Sequence, residues 1–114
     1  MATESKILLD NITTATPDSS WVYSEKYQGP GYLKSGDGVG TAYISINNFS
    51  GNVKLQATLA QYPGDNDWFD IESSEVAVQQ TTSASTITFT GKFIWIRAAY
   101  YFWDGSISQV RYTF

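Results

Sequence analysis

This 114-residue chain has no cysteine and no histidine. Without cysteine there is no disulfide and no thiolate metal ligand, a composition that suits a reducing compartment. Without histidine, Ser-His-Asp and Cys-His catalysis, imidazole zinc sites and the usual near-neutral pH switch are excluded. Clustered positive charge is missing too. The basic residues Lys6, Lys26, Lys34, Lys54, Lys92, Arg97 and Arg111 are scattered without an adjacent pair, and the net charge is −4. Nucleic acid and anionic membranes both call for a concentrated basic patch, so neither is an expected partner. No apolar run approaches the length of a membrane span, so membrane insertion is not expected. The start, MATESKILLD, lacks the basic head and apolar core of a signal peptide, which predicts synthesis and folding in a cytoplasm. Helix formers are sparse, no segment shows a 3.6-residue period, and no motif implies a cofactor.

What is abundant is Thr, Ser, Tyr, Val, Ile, Phe, Trp and Gly, the profile of an all-β domain. The length suits one domain over residues 1–114, with 1–5 frayed, and a core large enough to stand without covalent staples. Lys6 to Ile12 reads as a first strand, followed by a polar connector that contains Pro17. Trp21, Tyr23 and Tyr27 share one face of a half-buried strand. Gly29 to Gly40 reads as two glycine-rich loops around Tyr32-Leu33-Lys34. It lacks the Gly-Lys-Ser/Thr ending and following helix of a phosphate loop.

Further strands are expected at Thr41 to Asn47 and at Asn52 to Ala60, where Val53, Leu55, Ala57 and Leu59 point inward. The connector Asn48 to Gly51 makes these two a hairpin. Trp68 to Glu72, Glu75 to Gln80 and Thr86 to Thr90 follow, with Thr81 to Ser85 as a loop. The stretch Phe93 to Trp103 is apolar on both faces, and Asp104-Gly105 after it is a strong type I′ hairpin signal. A strand apolar on both sides lies near the middle of a fold, covered on its second face by another layer or by a partner. The sum is eight to ten short strands in an antiparallel two-sheet β-sandwich, jelly-roll-like, with a closed barrel as the alternative.

Three stretches hold candidate sites. Asp65, Asp67, Asp70, Glu72 and Glu75 cluster in one segment. Paired carboxylates can hydrolyse glycosides and spaced Asp/Asn oxygens can bind calcium, but Asp65-Asn66-Asp67 lacks the glycine and closing glutamate of a calcium loop. A solvated acidic loop is the plainer reading. Tyr62 and Trp68 flank it. With Asp65 and Asp67 they form a candidate glycan site, the rings covering a pyranose face and the carboxylates accepting its hydroxyls. For Trp68 a packed residue at a strand start is the plainer reading. Tyr100, Tyr101, Phe102 and Trp103 are successive, so they cannot all face one core. They are a candidate subunit interface. Arg97, among apolar neighbours, is expected to pair with a carboxylate such as Asp70 or to serve an interface.

Four segments, NFSGNVKLQATL from Asn48 to Leu59, DWFD from Asp67 to Asp70, GKFIWIRA from Gly91 to Ala98 and GSISQV from Gly105 to Val110, together resemble small β-sandwich virion structural proteins of tailed bacteriophages, especially those of marine cyanobacteria. The resemblance spans roughly residues 40 to 112, and residues 1 to 40 show none. It implies a virion part such as a fibre, neck or decoration element, homo-oligomeric and docked to other virion proteins. It carries over no catalytic residue, and Arg97 and Trp95 only as structural positions. The expected function is therefore non-enzymatic self-association and docking. A glycan-binding module is the alternative, and a hydrolase built on an Asp/Glu pair comes third.

Overall fold

The structure is a computed structural model that describes residues 5–15, 21–29, 38–71 and 74–113. The expected connector at Pro17, the short strand at Tyr32-Leu33-Lys34 and the candidate Glu72 lie outside the described residues. The elements are β1 (Ser5–Ile12), β2 (Val22–Tyr23), β3 (Tyr27–Gln28), β4 (Val39–Thr58), a 3-10 turn at Asp65–Asp67, β5 (Phe69–Asp70), β6 (Val76–Thr90) and β7 (Trp95–Thr113). All pairings are antiparallel, so the expected all-β antiparallel class is the one observed. Among the described residues no helix is long and apolar enough to cross a membrane.

The strands differ from expectation in length. β4 has 20 residues and β7 has 19. Laid straight at roughly 3.3 Å per residue, each would exceed 60 Å. The longest dimension of the molecule is 41 Å. The long strands therefore bend, and one hydrogen-bonded sheet folds over on itself to make the two layers of a sandwich. In the first layer β4 from Val39 to Asn47 lies between β6 and the end of β7, and β1 pairs with β7 beyond. In the second layer β4 from Gly51 to Thr58 lies between β7 and the short partners β5 and early β6, while β2 and β3 edge β7. Tyr112 of the first layer donates its hydroxyl to the Gln28 carbonyl of the second at 3.0 Å.

The bend explains why two expected hairpins are absent. Asn48 to Gly51 and Asp104-Gly105 carry turn chemistry, and Asn48 (φ 49°) and Gly105 (φ 83°) have the positive φ of turns. They use it in bulges, where an extra residue bends a strand without ending it. β4 buries Ala42, Ile44 and Ile46, then Phe49, Val53, Leu55 and Ala57. The inward set changes from even to odd positions because the pairing slips between Ile46 and Phe49. Without that slip the second half of β4 would turn its apolar face to water.

The expected loop Thr81 to Ser85 is likewise continuous strand, bent near Gln80 (φ 48°). Side chains tie the bends of β4 and β6 together. Ser50 Oγ accepts from the Gln80 amide at 2.9 Å, and Thr82 Oγ1 accepts from the Asn48 amide at 2.9 Å. The core is continuous across both layers and includes Leu8, Ile44, Leu55, Ile96, Phe102 and Tyr112.

Candidate binding face

β7 is central, as its two apolar faces predict. In the second layer Ile96, Ala98 and Phe102 point into the core and are fully buried. Trp95, Arg97, Ala99 and Tyr101 point outward. Their cover is intramolecular and comes from the segment 21–29. Ser24 donates its amide to the Ala98 carbonyl at 2.9 Å, and its Oγ accepts from the Ala98 amide at 2.8 Å. The Gly29 amide donates to Ile94 at 2.8 Å.

On this face cations and rings alternate. The Arg97 guanidinium lies 3.9 Å from the Tyr23 ring centre and 4.2 Å from that of Trp68. Its Nε donates to Gln56 Oε1 at 2.9 Å, and Gln56 Nε2 donates to Asp70 Oδ1 at 3.0 Å. Arg97 therefore does not pair with Asp70 directly, because Gln56 stands between them. Asp70 takes Lys54 instead, with Nζ 3.0 Å from its oxygens. The Lys54 ammonium also sits 4.0 Å from the Trp21 ring centre. Trp21 meets Tyr101 edge-on at 4.7 Å. The planar guanidinium suits the slot between two rings, where a lysine ammonium would not stack.

The charges respond to these surroundings. The hydrogen bond from Gln56, then the bond and charge of Lys54, hold the Asp70 carboxyl below its ordinary value against partial desolvation. Burial lowers the Arg97 guanidinium, opposed by Tyr23 and Asp65. Burial pushes the Tyr100 and Tyr112 hydroxyls up.

The four successive aromatics divide by position. Phe102 is a core residue packed on Phe49 at 5.3 Å, with no surface to offer a partner, so it leaves the expected interface. Tyr100 is half-buried against the core, and Tyr101 lies under Trp21. Trp103 is 58% exposed. It falls where the pairing slips from Ser50–Asp104 to Gly51–Phe102, so it has no opposite residue on β4. It borders a shallow groove of about 430 Å³ with Asn52, Val78 and Gln79.

Of the residues expected to bind a glycan, Tyr62 and Trp68 face different surroundings. Asp67 Oδ2 accepts from the Gly64 amide at 2.7 Å, which ties it into its own turn. Among the described residues no three His, Cys, Asp or Glu side chains come together to hold a metal. Trp68 has Arg97 against one face. Tyr62, 87% exposed, instead lines a groove of about 590 Å³ with Leu59, Gln61, Ile94 and Trp95, and Trp68 is not among its walls. Leu59 was expected inward but is 65% exposed, because β4 ends at Thr58 and the alternation ends with it. Trp95 donates its indole N–H to the Gln61 carbonyl at 3.0 Å, which fixes the floor of this groove. The roles of Tyr23, Trp21 and Lys54 had no signal in the linear order, since strand register alone brings them together.

No protein-family model matches the chain, and no curated protein matches it. Among solved structures it is similar to the K3 cleaved adhesin domain of Lys-gingipain from Porphyromonas gingivalis W83. That match has a TM-score of 0.47 and 13% identity, and covers 96% of this chain and 69% of that one. It is also similar to the K1 cleaved adhesin domain of the same protein, with a TM-score of 0.43 and 11% identity, covering 99% of this chain and 95% of that one. Both scores lie below 0.5, too low to bear on function.

Proposed function

We propose that this chain is a non-catalytic binding module that associates with copies of itself and docks to other proteins. The observation that carries this is the exposure of large apolar side chains on a β-sheet frame. Tyr62, Leu59 and Trp103 are 87%, 65% and 58% exposed. Buried aromatic anchors dominate the energetics of protein interfaces, and an exposed one beside a groove is poised for that role. The carboxylates support a non-enzymatic reading. Asp67 is bonded in its own turn, Asp70 is neutralised by Lys54, and Glu75 accepts from Asn52 at 2.7 Å. The more specific form, a virion part of a tailed phage, is supported by the four resembling segments alone.

Sedimentation velocity over a wide concentration range tests the self-association. Mass above the monomer is the expected result, and a monomer at every concentration would remove it.

A second reading, glycan binding, is favoured by Trp103 rather than by the loop at Asp65. Its exposed ring shares a groove with Asn52 and Gln79, whose side chains carry amides. A flat ring with flanking amide donors suits a pyranose. Binding on a glycan array that Trp103→Ala abolishes would support this. Silence of the wild type across a broad array would set it aside.

A further inference from the structure

We infer that the outer edge of β6 is a self-pairing edge: two copies join β6 to β6, antiparallel about a two-fold axis, so that each first-layer sheet continues into the other. The inference rests on the self-association just proposed and names its surface. Over Val76–Thr90, VAVQQTTSASTITFT, the strand carries no charge, no proline and no glycine. From Ser83 to Thr90 it runs in unbroken register against β4 from Ile46 back to Val39. Among the described residues no strand pairs with its other side. Eight residues at roughly 3.4 Å each leave an edge of about 27 Å with unpaired backbone groups.

Exposed edges recruit strands, and natural sheets blunt them with charge, bulges, proline or shortness. The other edges of this chain show those devices. β1 carries Lys6 and Asp10, slips register between Ile7 and Leu9, and has Asn11 at φ 51°. β2, β3 and β5 have two residues each. Among the described edges, the Ser83–Thr90 run of β6 alone is long, regular and uncharged.

Its natural occupant is a second β6. A two-fold axis at Thr86, near the middle of this run, sets Thr86 against its own copy and pairs Thr82 with Thr90 and Ala84 with Thr88, so a charge at the axis would meet its like, and like charges directly opposite destabilise a pair. β6 has none. Thr82, Ala84, Thr86, Thr88 and Thr90 are exposed on the outward face. Thr88 already meets Thr41 of β4, hydroxyl to hydroxyl, at 3.3 Å. Self-pairing with faces matched repeats that Thr–Thr contact across the axis.

The test uses the whole chain as wild type, Thr86→Lys and Thr86→Glu in sedimentation velocity, with circular dichroism to confirm that each variant keeps its strands. Thr86 is exposed, so neither change disturbs the core. The wild type is expected to dimerise. Each variant alone should raise the dimer dissociation constant about 100-fold, the scale of like charges forced across an interface. An equimolar mixture of the two variants should recover the dimer. If Thr86→Lys dimerises as the wild type does, or the mixture stays monomeric, the β6 edge is not the interface while self-association stands. A wild type that is monomeric at every concentration removes both. Hydrogen exchange gives an independent reading: amides between Ser83 and Thr90 should gain protection as concentration rises, and no gain would overturn the assignment.

Discussion

Gly105 on β7 lies directly against the backbone of Asn48 on β4, so closely that a Cβ on Gly105 would collide with the Asn48 carbonyl oxygen. The two residues mark the level where both long strands pass from one layer to the other. Gly105→Ala adds that collision to the cost of a positive φ for an alanine. Urea unfolding should show a loss of at least about 2 kcal/mol. Gly64→Ala is the matched control. Its added Cβ would meet nothing nearer than 3.6 Å, and its effect should stay within about 0.5 kcal/mol.

The neighbours Phe102 and Trp103 should behave oppositely. Phe102 is fully buried, and truncation to alanine opens a core cavity worth about 3–5 kcal/mol. Trp103→Ala should change stability by less than about 1 kcal/mol, because most of the ring already faces water. Calorimetry of the two variants makes the comparison, and equal losses would contradict the corner position of Trp103.

Arg97 holds the segment 21–29 by stacking between Tyr23 and Trp68. Arg97→Lys keeps the charge and loses the planar stack, at an expected cost of about 1–2 kcal/mol. The local signature is faster hydrogen exchange at the Ala98 amide, which is bonded to Ser24. A change confined to global stability, with Ala98 unaffected, would argue against a latch.

Tyr112 predicts an alkaline limit. Its folded hydroxyl titrates above the ordinary tyrosine value because it is buried. The unfolded chain therefore releases the proton first. The contribution is whole below about pH 10 and declines as pH rises beyond it. Tyr112→Phe should flatten that decline. At neutral pH it should cost about 1–2 kcal/mol, since the Gln28 carbonyl loses its donor.

Asp70 predicts the acid limb with the opposite sign. Its folded value lies below the ordinary 3.8. Its stabilising effect is complete above the unfolded value and is lost as pH falls through the folded one. The side chain is 54% exposed, so solvent screens much of the effect. Asp70→Asn should make the stability profile measurably flatter below pH 4, and an unchanged slope would deny the Lys54 and Gln56 contacts their role.

Part of the candidate face was legible in the sequence. The two-faced apolar character of Phe93 to Trp103 points to a central strand whose outer side needs cover. The burial of Arg97 among aromatics follows from its setting. The identity of the cover was not legible. Trp21 and Tyr23 reach β7 through long-range pairing, and Gln56 separates Arg97 from Asp70 through a cross-strand register that no local pattern encodes. Tyr62 and Trp68 flank one loop in the chain yet face different surroundings.

Local side-chain chemistry determined the all-β class, the alternating core positions and the exclusion of histidine and cysteine catalysis, because periodicity and composition are properties of short stretches. The tertiary structure decided what the turn residues do. Asn48 and Gly105 have the backbone freedom for either a hairpin or a bulge. The choice was settled when β4 and β7 paired along their whole lengths, since ending either strand at the corner would have given up that pairing and the packing of the second layer. The same decision sent Phe102 inward and left Trp103 outside.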